Sequence, residues 1–336
     1  MKAFEWANPT TIGEAVKFLK SASAGSDVDE AARPIAGGQD LLTTMKDYTT
    51  RPSRVVNLKS IRGLDRIQGN AKTGLTIGAL VNLTQLEEHP LVRASFPGLA
   101  EAAHSVATPQ IRNLGTVGGN LCQRPRCWYF RLEEVNCLKK GGSECYAATG
   151  ENKYNAILGG GPSYIVHPSD LAPMLVALGA SVAVVGADGR RVIPLDKFFT
   201  SPNENIRREN VLRNDEIITQ IQVPASPVAA RSTYLKFKER ESMDFAMASV
   251  AAAVQLSGNK TVAQVRLVLG GVAPIPWRTL EAEQFLLGKT LSADVLAETA
   301  RLALKGARPL DKNAYKVPLA QTLVRRALAK AGGMAA

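Results

Sequence analysis

The sequence predicts a mixed α and β protein of two or three domains. The chain has 336 residues, 45% hydrophobic and 21% charged, which is typical of globular proteins with a buried core. Strand and helix patterns alternate through residues 1–60, and near the C-terminus three strand patterns precede three helical ones. The longest apolar run, between Asp170 and Asp188, contains a proline and two glycines, which indicates a helix and a strand, not a membrane span.

The first lobe, residues 1–60, is predicted to alternate short strands and helices. Thr10 and Thr11 can cap a helix over residues 12–19, where apolar residues recur at helical spacing. Residues 33–42 (RPIAGGQDLL) are typical of a strand that ends in paired glycines and is followed by a helix. Residues 55–58 predict another strand.

The second lobe, residues 61–226, begins with an alternating strand pattern over 73–81 and continues with helices. Asp188-Gly189 predicts a hairpin turn, and a further strand is expected at 163–166. In the third region, residues 227–336, we expect strands at 233–240, 249–256 and 262–270, and helices near 280–287, 292–305 and 317–331.

Two glycine-rich turns precede predicted helices, at residues 36–40 (AGGQD) and 116–120 (TVGGN). Neither matches the dinucleotide fingerprint G-x-G-x-x-G. Paired glycines still allow backbone N–H groups to face an anion at a helix N-terminus, although each turn alone is also explained as a plain tight turn. Together the two turns could hold both phosphates of one dinucleotide.

All four cysteines of the chain lie in one insert of little predicted regular structure, residues 121–162: Cys122, Cys127, Cys137 and Cys145. The C-x2-C knuckles of zinc ribbons are absent, and the wide spacing favours an iron–sulfur cluster. Nearby basic residues would stabilise thiolates: Arg124, Arg126, Lys139 and Lys140. Zinc, disulfides and simple buried thiols are the alternatives.

Two further polar residues are candidates for contacts to a cofactor. Asp170, in His167-Pro168-Ser169-Asp170, either caps a helix or accepts hydrogen bonds from a ribose or flavin. Lys236 lies on an alternating strand pattern and, by composition alone, would face solvent. His167 is expected to be structural, and no hydrolase triad is evident.

The net charge of +11 is concentrated at residues 301–336, which carry eight Lys or Arg against one Asp. A solvated helix face, a nucleic-acid surface and a docking site for an acidic carrier such as ferredoxin all fit this pattern. A zinc-stabilised nucleic-acid-binding module is therefore one alternative. The aromatic content of only 6%, not interleaved with the basic residues, opposes it.

Taken together, these segments resemble the FAD-binding subunit of the molybdenum hydroxylase (xanthine dehydrogenase) family. The matching segments cover nearly the whole chain: 34–42, 110–120, 167–170, 234–240, 244–246, 270–274 and 276–278. The resemblance implies an α+β fold. A two-lobed FAD-binding domain of the PCMH type, similar to vanillyl-alcohol oxidase, is followed by a carbon monoxide dehydrogenase flavoprotein C-terminal domain with a three-stranded sheet and helices.

The resemblance also implies which residues bind FAD. Its phosphates would lie on the two glycine turns, and Asp170 and Lys236 would contact the flavin half or its linker. The implied FAD-binding residues are Pro34, Ile35, Ala36, Gly37, Gly38, Gln39, Asp40, Leu41, Leu42, Thr108, Gly115, Thr116, Gly118, Gly119, Asn120, Asp170 and Lys236. No residue is expected to act as a catalytic acid or base, which is also why a self-sufficient flavin oxidase is the weaker alternative.

The cysteine insert is similar to that of a subgroup whose flavoprotein subunit carries an extra [4Fe–4S] cluster. Some members have a further cysteine late in the insert, where this chain has Asn155 and Ser163. All four cysteines are therefore assigned as cluster ligands.

The family implies a heterotrimer with a large molybdenum-cofactor subunit and a small [2Fe–2S] subunit. Electrons would pass from molybdenum through the [2Fe–2S] clusters to FAD and on to an acceptor, for which a ferredoxin-like carrier is one candidate. We expect neither nucleic-acid binding nor membrane insertion. The complex would be cytoplasmic, or periplasmic by export with a signal-bearing partner.

Overall fold

The computed structural model describes residues 1–23 and 27–334. The first lobe is a three-stranded parallel sheet in the order β1-β3-β2. Its elements are β1 (Glu5–Ala7), α1 (Ile12–Ser21), β2 (Arg33–Ile35), α2 (Leu41–Lys46) and β3 (Arg54–Asn57). The side chain of Thr11 accepts a hydrogen bond from Glu14 N, which confirms the predicted cap. Ala15 and Leu19 pack α1 against Val56 of the sheet.

The second lobe is a five-stranded antiparallel sheet in the order β4-β5-β8-β6-β7. Its strands are β4 (Ile67–Asn70), β5 (Gly74–Gly78), β6 (Ser181–Gly186), β7 (Gly189–Pro194) and β8 (Ile217–Val223). Its helices are α3 (Leu83–Glu88), α4 (Pro90–Ser95), α5 (Pro97–His104), α6 (Pro109–Leu114), α7 (Val117–Leu121), α8 (Trp128–Arg131) and α9 (Leu171–Ala177).

The hairpin predicted at Asp188-Gly189 is confirmed, because β6 and β7 pair on either side of it. The strand predicted at 163–166 is wrong. There the backbone makes isolated hydrogen bonds in place of a ladder: Tyr164 O accepts from Ala156 N, and His167 N donates to Ala273 O. The segment therefore crosses between the second lobe and the C-terminal region without joining a sheet.

The C-terminal region is an antiparallel sheet in the order β12-β11-β10-β9, covered by helices. Its elements are β9 (Ser232–Phe237), β10 (Ala248–Leu256), β11 (Val262–Gly270), β12 (Trp277–Arg278), α10 (Leu280–Leu286), α11 (Ala293–Ala303) and α12 (Lys316–Gly332). The three predicted strands and three predicted helices are confirmed. The predicted sheet lacked β12, which has only two residues and is too short for a periodic pattern.

Strand β10 is buried on both faces. Ala251 and Ala253 belong to the core of the second lobe, whereas Val250 and Val254 belong to the core beneath α10–α12. This alternation, which follows the period of two along a strand, joins the C-terminal sheet directly to the second lobe. Across residues 1–23 and 27–334, no helix has both the length and the apolarity to cross a bilayer.

Candidate functional site

A cavity of about 530 Å³ lies where the two lobes and the C-terminal region meet. Most of the residues predicted to bind FAD line it: Pro34, Ile35, Ala36, Gly37, Gly38, Gln39, Asp40, Leu41, Gly115, Thr116, Gly118, Gly119, Asn120 and Asp170. Three do not, namely Leu42, Thr108 and Lys236. Residues 207–210 and 243–245, which carried no sequence signal for this role, complete the wall.

The two glycine turns touch each other. A Cβ atom on Gly37 would lie 2.1 Å from Leu114 O and 3.0 Å from Gly115 Cα, directly before the second turn, so only glycine permits this backbone approach. Gly38 has φ of +71°, a conformation that favours glycine. The structure thus brings together two segments that the sequence only suggested were partners.

The second turn is held against the end of β5. Gly118 N donates to Ala79 O and Val117 N donates to Val81 O, both at 2.9 Å. The hydroxyl of Thr116 caps α7 by accepting from Gly119 N at 3.2 Å. Thr108 in turn caps α6 through Ile111 N, so its role here is local and not that of a cavity residue.

Asp170 forms a buried cluster with two residues of β9. Lys236 Nζ lies 2.7 Å from Asp170 Oδ2, and the Tyr234 hydroxyl donates to Asp170 Oδ1 at 2.7 Å. Burial, with the Asp170 carboxylate beside it, raises the pKa of Tyr234 well above its ordinary value. Lys236 also donates to Ser105 O at 3.0 Å, so the solvent-facing interpretation from composition is wrong.

The helix cap expected of Asp170 is also corrected. Its side chain makes no capping bond to α9, and Ser169 Oγ accepts from Ala172 N at 3.0 Å instead. Tyr234 was not identified from the sequence. The period of two along β9 is the signal that could have found it, since Tyr234 and Lys236 share one face of the strand.

His167 is buried, as expected for a structural residue, and its ring meets the Phe199 ring edge to face with the two centroids 4.7 Å apart. Its Nε2 atom has no hydrogen-bond partner in the part of the chain that the structure describes. Burial lowers the pKa of His167 to about 4, so the imidazole is neutral at pH 7.

The cavity is suited to a polyanion. Seven arginines line it against five carboxylates: Arg33, Arg124, Arg126, Arg207, Arg208, Arg213 and Arg240 against Asp40, Asp170, Glu209, Glu216 and Asp244. Burial lowers the pKa of Arg33 to about 10 and also lowers the pKa of Arg208. The positive excess would be offset by a diphosphate resting on the glycine turns.

Asp40 ties the first glycine turn to the insert. Its Oδ1 accepts from Arg126 Nη1 at 2.5 Å and from Arg131 Nη2 at 2.7 Å, and its Oδ2 accepts from Arg124 N at 2.7 Å. Burial opposes ionisation, but Arg126 and Arg131 hold the pKa of Asp40 below its ordinary value. Arg124 and Arg126, expected to stabilise thiolates, serve this carboxylate network instead.

The four cysteines are free, and they divide into one and three. Cys122 follows α7 and lines the cavity, where burial and the nearby Glu209 raise its pKa to about 12. Cys127, Cys137 and Cys145 each stand directly before a short helical turn. A bond of 2.7 Å from Leu138 N to Glu144 O closes the loop between Cys137 and Cys145.

Cys127 lies on the same side of the insert as Cys145. Burial raises the pKa of Cys127, with a smaller contribution from the Cys145 thiol. The Tyr129 and Tyr146 rings that follow these two cysteines have centroids 6.0 Å apart. Asn155 Nδ2 is 3.8 Å from Cys127 Sγ, at one of the two late positions where related inserts have another cysteine.

The predicted four-thiol ligand set is not assembled here. Considering residues 1–23 and 27–334, no three His, Cys, Asp or Glu side chains are placed to hold a metal ion. Of the four cysteines, Cys122 lines the cavity and the other three do not.

The basic C-terminal region is partly neutralised by its own neighbours. Lys305, Lys312 and Lys330 pair with Glu281, Glu151 and Glu101, respectively. A surface that is paired in this way presents less positive charge to a nucleic acid or an acidic carrier than the sequence indicated.

Comparison with known protein families gives two matches, in chain order. Residues 2–226 match the FAD binding domain in molybdopterin dehydrogenase, and residues 232–331 match the CO dehydrogenase flavoprotein C-terminal domain. The predicted fold class, a FAD-binding domain followed by this C-terminal domain, is thereby confirmed.

Similar proteins extend over the whole chain. The chain is 34% identical to the aldehyde oxidoreductase FAD-binding subunit PaoB of Escherichia coli K12, covering 100% of both chains. It is 30% identical to the carbon monoxide dehydrogenase medium chain of Hydrogenophaga pseudoflava, covering 97% of this chain and 96% of the relative. A structure of the Hydrogenophaga enzyme lacking the Mo-pyranopterin moiety superimposes with a TM-score of 0.76 at 29% identity, covering 99% and 98%.

Proposed function

The chain belongs to the FAD-binding medium subunits of the xanthine dehydrogenase and carbon monoxide dehydrogenase family, and we propose that it is the flavoprotein electron-transfer subunit of a heterotrimeric molybdenum hydroxylase. As such it is a subunit of an oxidoreductase. Its partners would be a large molybdenum-cofactor subunit and a small [2Fe–2S] subunit, from which it would receive electrons.

The observation that carries this proposal is the contact between the two glycine turns in the wall of one cavity. Gly37 allows a backbone approach that a side chain would obstruct, and a Cβ atom on Gly118 would lie only 3.0 Å from Ala79 O. The arginine excess around the turns suits a diphosphate. FAD bound there would supply the two-electron redox chemistry, while the protein holds and orients it.

Asp170 would face the flavin half of FAD or its linker. The carboxylate lines the cavity and is fixed by two buried hydrogen bonds, from Tyr234 and Lys236. Lys236 does not line the cavity, so we propose that it acts by holding Asp170 in place and not by touching FAD. The two hydrogen bonds fix the orientation of the Asp170 carboxylate, which is the hydrogen-bond acceptor that would face FAD.

We propose in addition that the insert holds a [4Fe–4S] cluster. The donor chemistry fits, because thiolates are the ligands of such clusters and three cysteines of the insert each stand directly before a short helical turn. Cys122 is left out of the proposed set because it lines the cavity, unlike the other three cysteines. The proposed ligands are therefore Cys127, Cys137 and Cys145, gathered when the cluster is inserted.

The substrate class is proposed from the relatives. Aldehyde oxidoreductase is the relative with 34% identity over the full length of both chains, so an aldehyde is the first candidate and an N-heterocycle the second. Selection of the substrate would belong to the molybdenum subunit. The complex would reside in the cytoplasm, or in the periplasm after export with a signal-bearing partner.

The experiment is cofactor analysis of the chain purified without oxygen, alone and with its partner subunits. We expect FAD, identified by chromatography after denaturation, together with iron and sulfide in equal amounts. Bound FMN, or no flavin, would contradict the flavoprotein proposal. Zinc without iron would contradict only the cluster. Turnover of an aldehyde by the isolated chain would favour the self-sufficient oxidase.

A further inference from the structure

A lysine of the cysteine insert reaches the wall of the cavity. Lys139 Nζ lies 2.8 Å from Glu209 Oε1 and donates to Ile206 O at 3.0 Å. Its side chain is only 3% exposed. Glu209 lines the cavity and Lys139 does not, so Lys139 contacts the cavity wall from the side that faces away from the cavity.

Glu209 also pairs with a second buried cation, Arg124. Arg124 Nε lies 3.2 Å from Glu209 Oε2, and the same guanidinium donates to Asp29 Oδ1 and, at 3.0 Å, to Arg207 O. Arg124 and Lys139, against a desolvation that opposes them, lower the pKa of Glu209 to about 2. Removing one partner from such a buried network leaves the remaining charges less fully compensated.

Arg124 then reaches the first glycine turn through its backbone. Its N–H donates to Asp40 Oδ2 at 2.7 Å, and Asp40 follows Gly37 and Gly38. Arg207, also in the cavity wall, pairs with Asp29 at 2.8 Å. A continuous series of buried contacts therefore runs from the insert beside Cys137 to the turn that would cradle a phosphate.

We propose that Lys139 is a positioning residue for FAD, acting through Glu209 and Arg124 on the first glycine turn. The inference rests on the proposed FAD-binding function. It makes Lys139, which does not line the cavity, part of the FAD site through insert residues such as Arg124 that do. Because coupling is reciprocal, FAD binding would in turn stabilise the insert around Cys137.

The first test is a titration of the flavin-free full chain with FAD, in which binding is measured by the quenching of flavin fluorescence. Lys139→Gln should raise Kd by roughly 5- to 150-fold, the usual range for coupling between two sites. Lys140→Gln is the matched control, because the Lys140 ammonium donates to Leu132 O and should leave Kd unchanged. Lys139→Arg, which keeps the charge, should restore most of the affinity. An unchanged Kd for Lys139→Gln would overturn the proposal.

The second test uses only the wild-type chain and so does not depend on how a variant folds. FAD should slow amide hydrogen exchange at residues 138–140 and 206–209 as well as at the two glycine turns. Protection confined to the turns would overturn the coupling while leaving the FAD-binding function intact. A wild-type chain with no affinity for FAD would instead contradict the function and this inference together.

Discussion

The FAD cavity and the cysteine insert are neighbours in the chain but are organised differently. In the cavity, backbone contacts, a capping hydroxyl and a partly buried ion pair hold the glycine turns. In the insert, three thiols stand before short helical turns and remain free. The contacts of the chain itself therefore organise the cavity, whereas the proposed cluster would decide the final arrangement of the thiols in the insert.

The largest effect should come from the insert. Cys137→Ser should reduce bound iron to background, because the cluster would lose a thiolate from a buried position. Cys122→Ser is the control and should keep its iron, since that thiol lies in the cavity wall. Iron per chain and the visible spectrum after anaerobic purification check both variants. Loss of iron in Cys122→Ser would restore the four-cysteine assignment.

The buried ion pair of the cavity should dominate stability. Asp170→Asn would leave the Lys236 ammonium buried without its carboxylate, which typically costs about 3–5 kcal/mol. The free energy of unfolding in urea measures this. Lys153→Met, which removes the exposed pair of the insert with Glu239, should leave stability unchanged. Equal losses in the two variants would contradict the comparison.

The pH dependence should reveal His167. Its pKa is about 4 in the folded chain and 6.5 in the unfolded chain, so the unfolded chain binds more protons between these values. The contribution of His167 to the free energy of unfolding is therefore fully present above pH 6.5. It falls by about 3 kcal/mol as the pH drops through 4. Urea unfolding of the wild type and His167→Gln at several pH values should show a shallower decline in the variant. Parallel curves would assign the decline to other groups.

A smaller effect should follow from adding one methyl group to the first glycine turn. Gly37→Ala would place a Cβ atom 2.1 Å from Leu114 O, and overpacking of this kind costs about 1–3 kcal/mol. FAD affinity should fall with it, because the two turns must separate. Gly13→Ala, with no atom within 4 Å of the added Cβ, is the control. Calorimetry and FAD titration measure the two effects; retained affinity in Gly37→Ala would show that the turns tolerate separation.

Local patterns predicted most of the secondary structure and both glycine turns. The hairpin at Asp188-Gly189, the helix cap at Thr11 and the strands β9 to β11 all follow from residue types within a few positions of each other. Asp170 was also singled out from its own motif, and Lys236 only through the family resemblance. That they contact each other emerged from the structure, because 66 residues separate them.

The charge network could not be predicted in the same way. Arg124 meets Asp29 and Glu209 across 95 and 85 residues of sequence, respectively, and no local pattern relates such positions. The assignment of Arg124 to thiolate stabilisation used proximity in sequence, which failed because the side chain points into the cavity wall. The grouping of all four cysteines also used proximity in sequence; in the structure Cys122 lines the cavity and the other three do not.

Strand β10 determines whether the two parts of the chain can unfold independently. Since its alternate side chains complete two hydrophobic cores, neither half can melt without exposing apolar surface of the other. The segment near residue 227 therefore cannot serve as a hinge. We expect residues 1–226 and residues 227–336 to unfold and refold as one cooperative unit. If residues 227–336 were fused to an unrelated flavoprotein, the face of β10 that normally packs on the second lobe would be left as exposed apolar surface.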